Sequence, residues 1–153
     1  MRAVLQRVSR AEVRVEGKPT GAIGKGFLVL AAATHDDDQD AVLWVARKIA
    51  ELRVFPDESG RMNRDVRQAG GAALVVPQFT LYGDTRRGRR PDFTAAARPE
   101  QAAPLLERLC EALEREGVPV ERGVFGAHME VELVNDGPVT VTVESPARGA
   151  GAP

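Results

Sequence analysis

The side chains that carry most covalent and metal chemistry are scarce in this 153-residue chain, which has one cysteine and two histidines. Cys110 sits among leucines in LLERLCEAL and reads as a small apolar residue of the core, not as a nucleophile or half of a bridge. The fold needs no staple, since a chain of this length buries roughly two-thirds of its unfolded surface on its own. His35 falls in the approach to a helix and His128 on the polar side of a strand, so both read as surface residues. No Ser/His/Asp or Cys/His arrangement can be assembled from them. There is no CxxC, no HxxxH and no acidic loop with calcium spacing, and HDDDQD reads as a helix cap. GKG at 24 to 26 is a turn, because the flanking spacing of a phosphate loop is missing. An enzyme built from this composition works without a metal or other cofactor and without a strong side-chain base.

Long apolar runs are also missing. None approaches the ~20 residues that span a bilayer, and MRAVLQRV is too short and too charged for a signal peptide, so the expectation is a soluble, cytoplasmic protein with no membrane partner. The net charge of −1 excludes the general basic field that drives DNA binding, so any nucleic-acid contact must be local. Positive charge is mostly arginine, 18 residues against 3 lysines, and its densest cluster is Arg86, Arg87, Arg89 and Arg90 in GDTRRGRRPDF. Such a cluster is either a solvated loop or a set of phosphate contacts.

What is present is an alternation of β and α patterns with no linker. AVLQRV and AEVRVEG predict two short strands, with GKPT ending the second, and FLVLAAA predicts a strand buried on both faces. Residues 38 to 53 place Val42, Val45, Ile49 and Leu52 at helical spacing. A brief strand and a loop or hairpin follow. A second helix is predicted over 99 to 116, with Pro99 in its first turn and Leu105, Leu106, Leu109 and Leu113 on its apolar face. MEVELVNDGPVTVTVES alternates strictly and predicts a β-hairpin turning at Asp136 and Gly137. The expected fold class is α+β, with two packed β layers of mixed or antiparallel strands and two helices on one outer face. Residues 1 to 145 form one domain, and 146 to 153 form a tail expected to be disordered.

Three segments are not explained by folding alone. In LVVPQFTLYGD a proline interrupts an apolar run, and Gln78 and Thr80 then share one face at β spacing, where they could line a cleft beside backbone N–H groups freed at a strand end. An ordinary polar strand end is the plainer reading. In NDGPVT the Gly137–Pro138 bond is cis or trans, and a plain hairpin turn also accounts for the segment. The arginine loop, with Phe93 behind it, could hold phosphates or stack on a base.

Taken together, MRAVLQRVSRAEVRVEG, QFTL, RGRRPDF, VFGAHMEV and NDGPVT resemble, in order and spacing, the D-aminoacyl-tRNA deacylase family, over all but about the last eight residues. The resemblance implies a homodimer that hydrolyses the ester between a D-amino acid, or glycine, and the 3′-terminal adenosine of tRNA. It implies that Gly137 and Pro138, joined by a cis bond and oriented by Arg7, reach in trans into the other subunit's pocket to hold the α-amino group and exclude L-substrates. Gln78, Phe79 and Thr80 would border the scissile ester, with amides of this stretch as oxyanion donors. Phe125 and Met129 fall where the family lodges the terminal adenine, and Arg86, Arg87, Arg89 and Arg90 would meet phosphates of the acceptor end. An aminoacyl ester is already activated, so positioning and oxyanion stabilisation suffice, and the shortage of histidine is no obstacle.

One departure stands out. The family usually has serine before QFTL, where this chain has Pro77. A related animal deacylase group has proline there and accepts small L-substrates, so relaxed chirality is the alternative. A non-catalytic tRNA-binding module and a hydrolase with Thr80 as nucleophile are the remaining alternatives.

Overall fold

The first fifteen residues form one strand where the pattern predicts two. In the computed structural model, which describes residues 1–148, β1 (Arg2–Val15) runs unbroken and turns at Glu16 and Gly17 into the antiparallel β2 (Lys18–Ile23). Both turn residues have positive φ, 51° and 76°, as a two-residue hairpin requires. The misreading has a physical cause. Pairing with the C-terminal strand shifts register between Val8 and Arg10, so the side of β1 that is buried changes there. Ala3 and Leu5 join one apolar cluster, whereas Val8, Ala11 and Val13 join another. A strand whose alternation slips by one looks like two strands.

β3 (Gly26–Ala32) lies antiparallel to β1 and is buried on both faces, as predicted. α1 (Gln39–Glu51) follows, capped by Asp38, whose carboxylate accepts from the amides of Asp40 at 3.0 Å and Ala41 at 3.2 Å. β4 (Phe55–Pro56) and β5 (Met62–Arg64) make a small antiparallel pair, and β6 (Ala72–Pro77) then runs parallel to β3. A 3-10 turn over Phe79–Tyr82 leads towards α2 (Pro99–Arg115), which starts on proline as predicted. β7 (Val120–Arg122) is parallel to β6.

The predicted C-terminal hairpin does not form. β8 (Glu130–Glu144) is a single strand antiparallel to β1 along its whole length, from Arg14↔Glu130 to Arg2↔Glu144. Both alternating segments pair with the free edge of β1 instead of with each other. Between them, Gln6 pairs with Thr140 and Val8 with Asn135, so residues 136 to 139 bulge out opposite Arg7 alone.

The two expected β layers are parts of one sheet. Six strands follow the order β2-β1-β3-β6-β7, with β8 on the other edge of β1. β1 pairs with β3 through its first half and with β2 through its second, so the sheet bends along it. β2 thereby comes to lie over β6 and β7, close enough that a Cβ on Gly21 would stand 2.8 Å from the Arg122 carbonyl oxygen. Leu28, Leu74 and Val76 fill the space inside the bend. On the opposite face, Phe27, Val29 and Val75 pack beneath α1 and α2 through Val45, Ile49, Leu109 and Leu113. Leu109 is fully buried, so truncation to alanine there costs about 2–5 kcal/mol. Among the described residues no helix is long and apolar enough to cross a membrane. Of the tail beginning at 146, Arg148 bonds the Asp38 carboxylate at 2.8 Å, and 149 to 153 lie outside the described residues.

Candidate active site

Pro77 is the last residue of β6 and sits opposite Ala31. The amides of Ala73 and Gln78 fix which way the strand's donors point: Ala73 donates towards Pro119 beside β7 and Gln78 towards Ala31 of β3. Position 77 therefore points its missing N–H to the β7 side, where pairing has stopped at Val75↔Arg122. Proline costs the ladder nothing there. The strand thus includes the proline that interrupts the apolar run and ends on it, one residue beyond Val76.

Beyond Gln78 the chain is not extended. Phe79–Tyr82 coil into the 3-10 turn, so the β-period argument for Gln78 and Thr80 fails, although their side chains still meet, Gln78 Nε2 donating to Thr80 Oγ1 at 3.1 Å. The first turn of such a helix leaves its leading amides unpaired. Among the described residues, those of Phe79 and Thr80 have no acceptor, whereas Leu81 and Gly83 donate back to Gln78 and Thr80. Arg2 fixes the turn from behind: it donates to the Leu81 carbonyl at 2.7 Å, sits 4.6 Å from the centre of the Tyr82 ring, and pairs with Glu144. Burial pushes the Tyr82 hydroxyl well above the usual phenol range, so it stays protonated.

In front of this turn opens a cavity of about 540 Å³. Gln78, Phe79 and Thr80 form one wall, Phe125 and Met129 another, and the start of α2 with Ala97, Arg98 and Pro99 a third. VFGAHM is a loop between β7 and β8, not a strand, and His128 in it is exposed, as is His35. Met129 is held where the thioether accepts from the Val124 amide at 3.4 Å and lies against Gly123. Phe93, read only as a companion of the arginine loop, also lines the cavity and meets Phe79 edge to face at 5.2 Å. The lining contains no His, Asp, Glu, Lys or Cys; its only charged side chain is Arg98.

Arg7, Gly137 and Pro138 are not part of this cavity. They meet one another at the bulge in β8, where Arg7 Nε donates to the Asp136 carbonyl at 2.9 Å and its Nη1 to the Val54 carbonyl at 2.6 Å. Gly137 has φ of 141°, and the Gly137–Pro138 bond is cis. Asn135, overlooked in the sequence as a turn residue, closes the neck: its Oδ1 accepts from the Val139 amide at 2.8 Å while its Nδ2 donates to the Val139 carbonyl. Its place at the head of NDGPV, three residues before a proline it cannot reach by a turn bond, is the signal that could have found it.

The arginine loop lies outside the cavity as well, closed by paired amides and carbonyls of Asp84 and Asp92. Arg86 is bound to the Asp84 carboxylate, and this bond holds the Asp84 pKa down to about 2. Arg87, Arg89 and Arg90 are exposed.

This geometry has close relatives. The D-Tyr-tRNA(Tyr) deacylase family model matches residues 4–144. The chain belongs to that family. It is 59% identical over 145 residues to the D-aminoacyl-tRNA deacylase of Symbiobacterium thermophilum, covering 95% of this chain and 96% of the relative. The D-aminoacyl-tRNA deacylase of Thermus aquaticus is 57% identical, with 95% of each chain covered. Among solved structures, one described as the c-Myc DNA Unwinding Element Binding Protein superposes with a TM-score of 0.89 at 42% identity, over 96% of this chain and 100% of that one. A probable eukaryotic D-amino acid tRNA deacylase superposes at 0.79 with 20% identity, over 94% and 98%, which is a likeness of fold.

Proposed function

We propose that this member of the deacylase family hydrolyses the ester between a D-amino acid, or glycine, and the 3′-terminal adenosine of tRNA, a chiral proofreading and tRNA-recycling reaction of the cytoplasm. The observation that carries the reading is the pairing, in one cavity, of two unsatisfied amides at Phe79 and Thr80 with an apolar wall at Phe125 and Met129. The apolar wall suits a purine, which stacks on aromatic and thioether surfaces. The amides suit the oxyanion that forms when water attacks the ester carbonyl. Thr80 fits poorly as a nucleophile, because its hydroxyl meets Gln78 and no lining group can take its proton. The step is attack of water on an activated ester, with the 3′-oxygen of the ribose leaving, and it needs positioning more than a base.

The reading includes a homodimer. Within one chain the cavity lining has no carboxylate to pair with an α-ammonium group, and the Gly137–Pro138 bulge offers carbonyls but lies outside the cavity walls. A second copy that presents its bulge to the cavity supplies what each lacks. A backbone placed there blocks an L-side chain sterically while leaving room for hydrogen. Pro77 does not favour relaxed chirality on this geometry, since its replacement of serine is accommodated at a strand end without loss of a ladder bond. The deciding measurement is kcat/KM on D-tyrosyl-tRNA, glycyl-tRNA and L-alanyl-tRNA. Hydrolysis of the first two with the third spared is expected. Comparable hydrolysis of D-tyrosyl- and L-alanyl-tRNA would sink the D-specific reading.

A further inference from the structure

We propose that Arg98 is a phosphate-binding residue of the substrate cavity, contacting the phosphodiester immediately 5′ of the terminal adenosine; this rests on the deacylase reading and adds a subsite to it. Three observations converge on this residue. First, Arg98 is the only charged side chain lining the cavity that also holds Gln78, Thr80, Phe125 and Met129. An adenosine lodged with its base on Phe125 and its 3′-ester at Thr80 carries one permanent charge close to the cavity, the phosphate on its 5′-oxygen.

Second, Arg98 occupies the N-cap position of α2, which serine, threonine, aspartate and asparagine favour. Its side chain makes no capping hydrogen bond, and its charge sits at the positive end of a 17-residue helix. Both effects disfavour arginine. A residue that breaks a local folding rule with no structural return is a candidate for function. Third, the chain's other arginines near structured elements are mostly held by carboxylates, as Arg2, Arg14, Arg67, Arg86 and Arg122 are, and Arg98 has no such partner among the described residues. Its guanidinium is exposed at the rim and available to a ligand. A planar guanidinium matches two phosphate oxygens at once. Arg98 is thus better placed than Arg87, Arg89 and Arg90, which do not line the cavity, to read the nucleotide nearest the ester.

The test compares two minimal substrates, 3′-O-D-tyrosyl-adenosine and the same ester carrying a 5′-phosphate. The readout is the ratio of their kcat/KM values. Wild-type protein is expected to prefer the phosphorylated ester by roughly tenfold, the size of one exposed charge-assisted contact, with the difference in KM and not in kcat. Arg98→Ser, which installs a favoured cap and so keeps the helix, is expected to bring the ratio to about one, and Arg98→Lys to an intermediate value. On full D-tyrosyl-tRNA, Arg98→Ser should lower the salt dependence of KM by about one phosphate's worth. A wild-type ratio near one, or a ratio unchanged in Arg98→Ser, overturns the assignment and leaves the deacylase reading standing. Wild-type protein inactive on both esters takes down both.

Discussion

Two places in this molecule interrupt the β ladder, and they do so in opposite ways. At the end of β6 the chain leaves the sheet for a 3-10 turn, whose first two residues have amides without an acceptor among the described residues and line an apolar cavity. In the middle of β8 the chain stays in the sheet but throws out residues 136 to 139, of which Asp136, Gly137 and Pro138 stand exposed, held from behind by Arg7 and from the side by Asn135. One interruption provides walls and donors; the other provides carbonyls on a protrusion. Phe79, at the mouth of the first, is 58% exposed, a large apolar surface left open in the single chain. On the proposed reading each interruption would supply what the other lacks, and action between two copies is the proposal that variants at the two places test.

The largest expected effect tests the bulge. A Cβ on Gly137 would stand 2.8 Å from Val139 Cγ2 and 3.1 Å from Arg7 Nη2, at a φ that side chains rarely adopt. Gly137→Ala should therefore displace the carbonyls and lower kcat/KM on D-tyrosyl-tRNA by on the order of a hundredfold, the cost of an ångström-scale misplacement. Co-expression with Phe125→Ala then breaks or confirms the complementarity. If the bulge acts in trans, mixed dimers rebuild one intact site each, and roughly a quarter of the wild-type kcat/KM, read at substrate well below KM, returns on random pairing. Activity no higher than the two variants measured separately would place both elements in one chain.

The cavity's own variant should be milder. Phe125→Ala removes a stacking surface worth about 1–3 kcal/mol, so a rise in KM of about tenfold to a hundredfold with little change in kcat is expected. The arginine loop gives a subtler contrast, because it belongs to neither region. Arg86 holds the Asp84 carboxyl down to about 2, so the folded loop gains from the ionised carboxylate above the ordinary aspartate range and loses that gain only as pH falls through about 2. Carbon-detected NMR should find Asp84 titrating near that value, and Arg86→Ala should return it towards the ordinary range.

How much of this was legible depended on whether a signal was local. The helices were, because Asp38, Pro99 and the leucine spacing each act within a turn or two. Gln78 and Thr80 were singled out by their spacing before the family resemblance, Phe79, Phe125 and Met129 by the resemblance alone, and the structure brings all five together. What failed depended on partners distant in sequence. Whether NDGPVT turns back or runs on is decided by the free edge of β1, more than a hundred residues earlier, and the pattern of β8 alone is the same in both cases. The break in β1 was misread for the same reason, since the register shift at Ser9 exists only in pairing with β8. Phe93 and Arg98 were missed as lining residues because a loop residue and a helix cap reveal no direction until the helix is docked.

The smallest expected effect bears on what the cavity does with its substrate. Thr80 has the one hydroxyl in the QFTL turn, but its Oγ1 accepts a hydrogen bond from Gln78, and no imidazole or carboxylate lines the cavity to activate it. If the 3-10 turn contributes backbone amides and the bulge contributes backbone carbonyls, then neither region works through a catalytic side chain. Thr80→Ala preserves the turn's amides, because the 3-10 hydrogen bonds from Leu81 and Gly83 end on backbone carbonyls. It should retain activity to within about threefold, the loss of a single neutral hydrogen bond. Rapid-quench analysis should find no acyl group on the protein during turnover. A variant reduced a thousandfold, or an ester trapped on Thr80, would show that the cavity holds a nucleophile after all and would end the symmetry between the two interruptions.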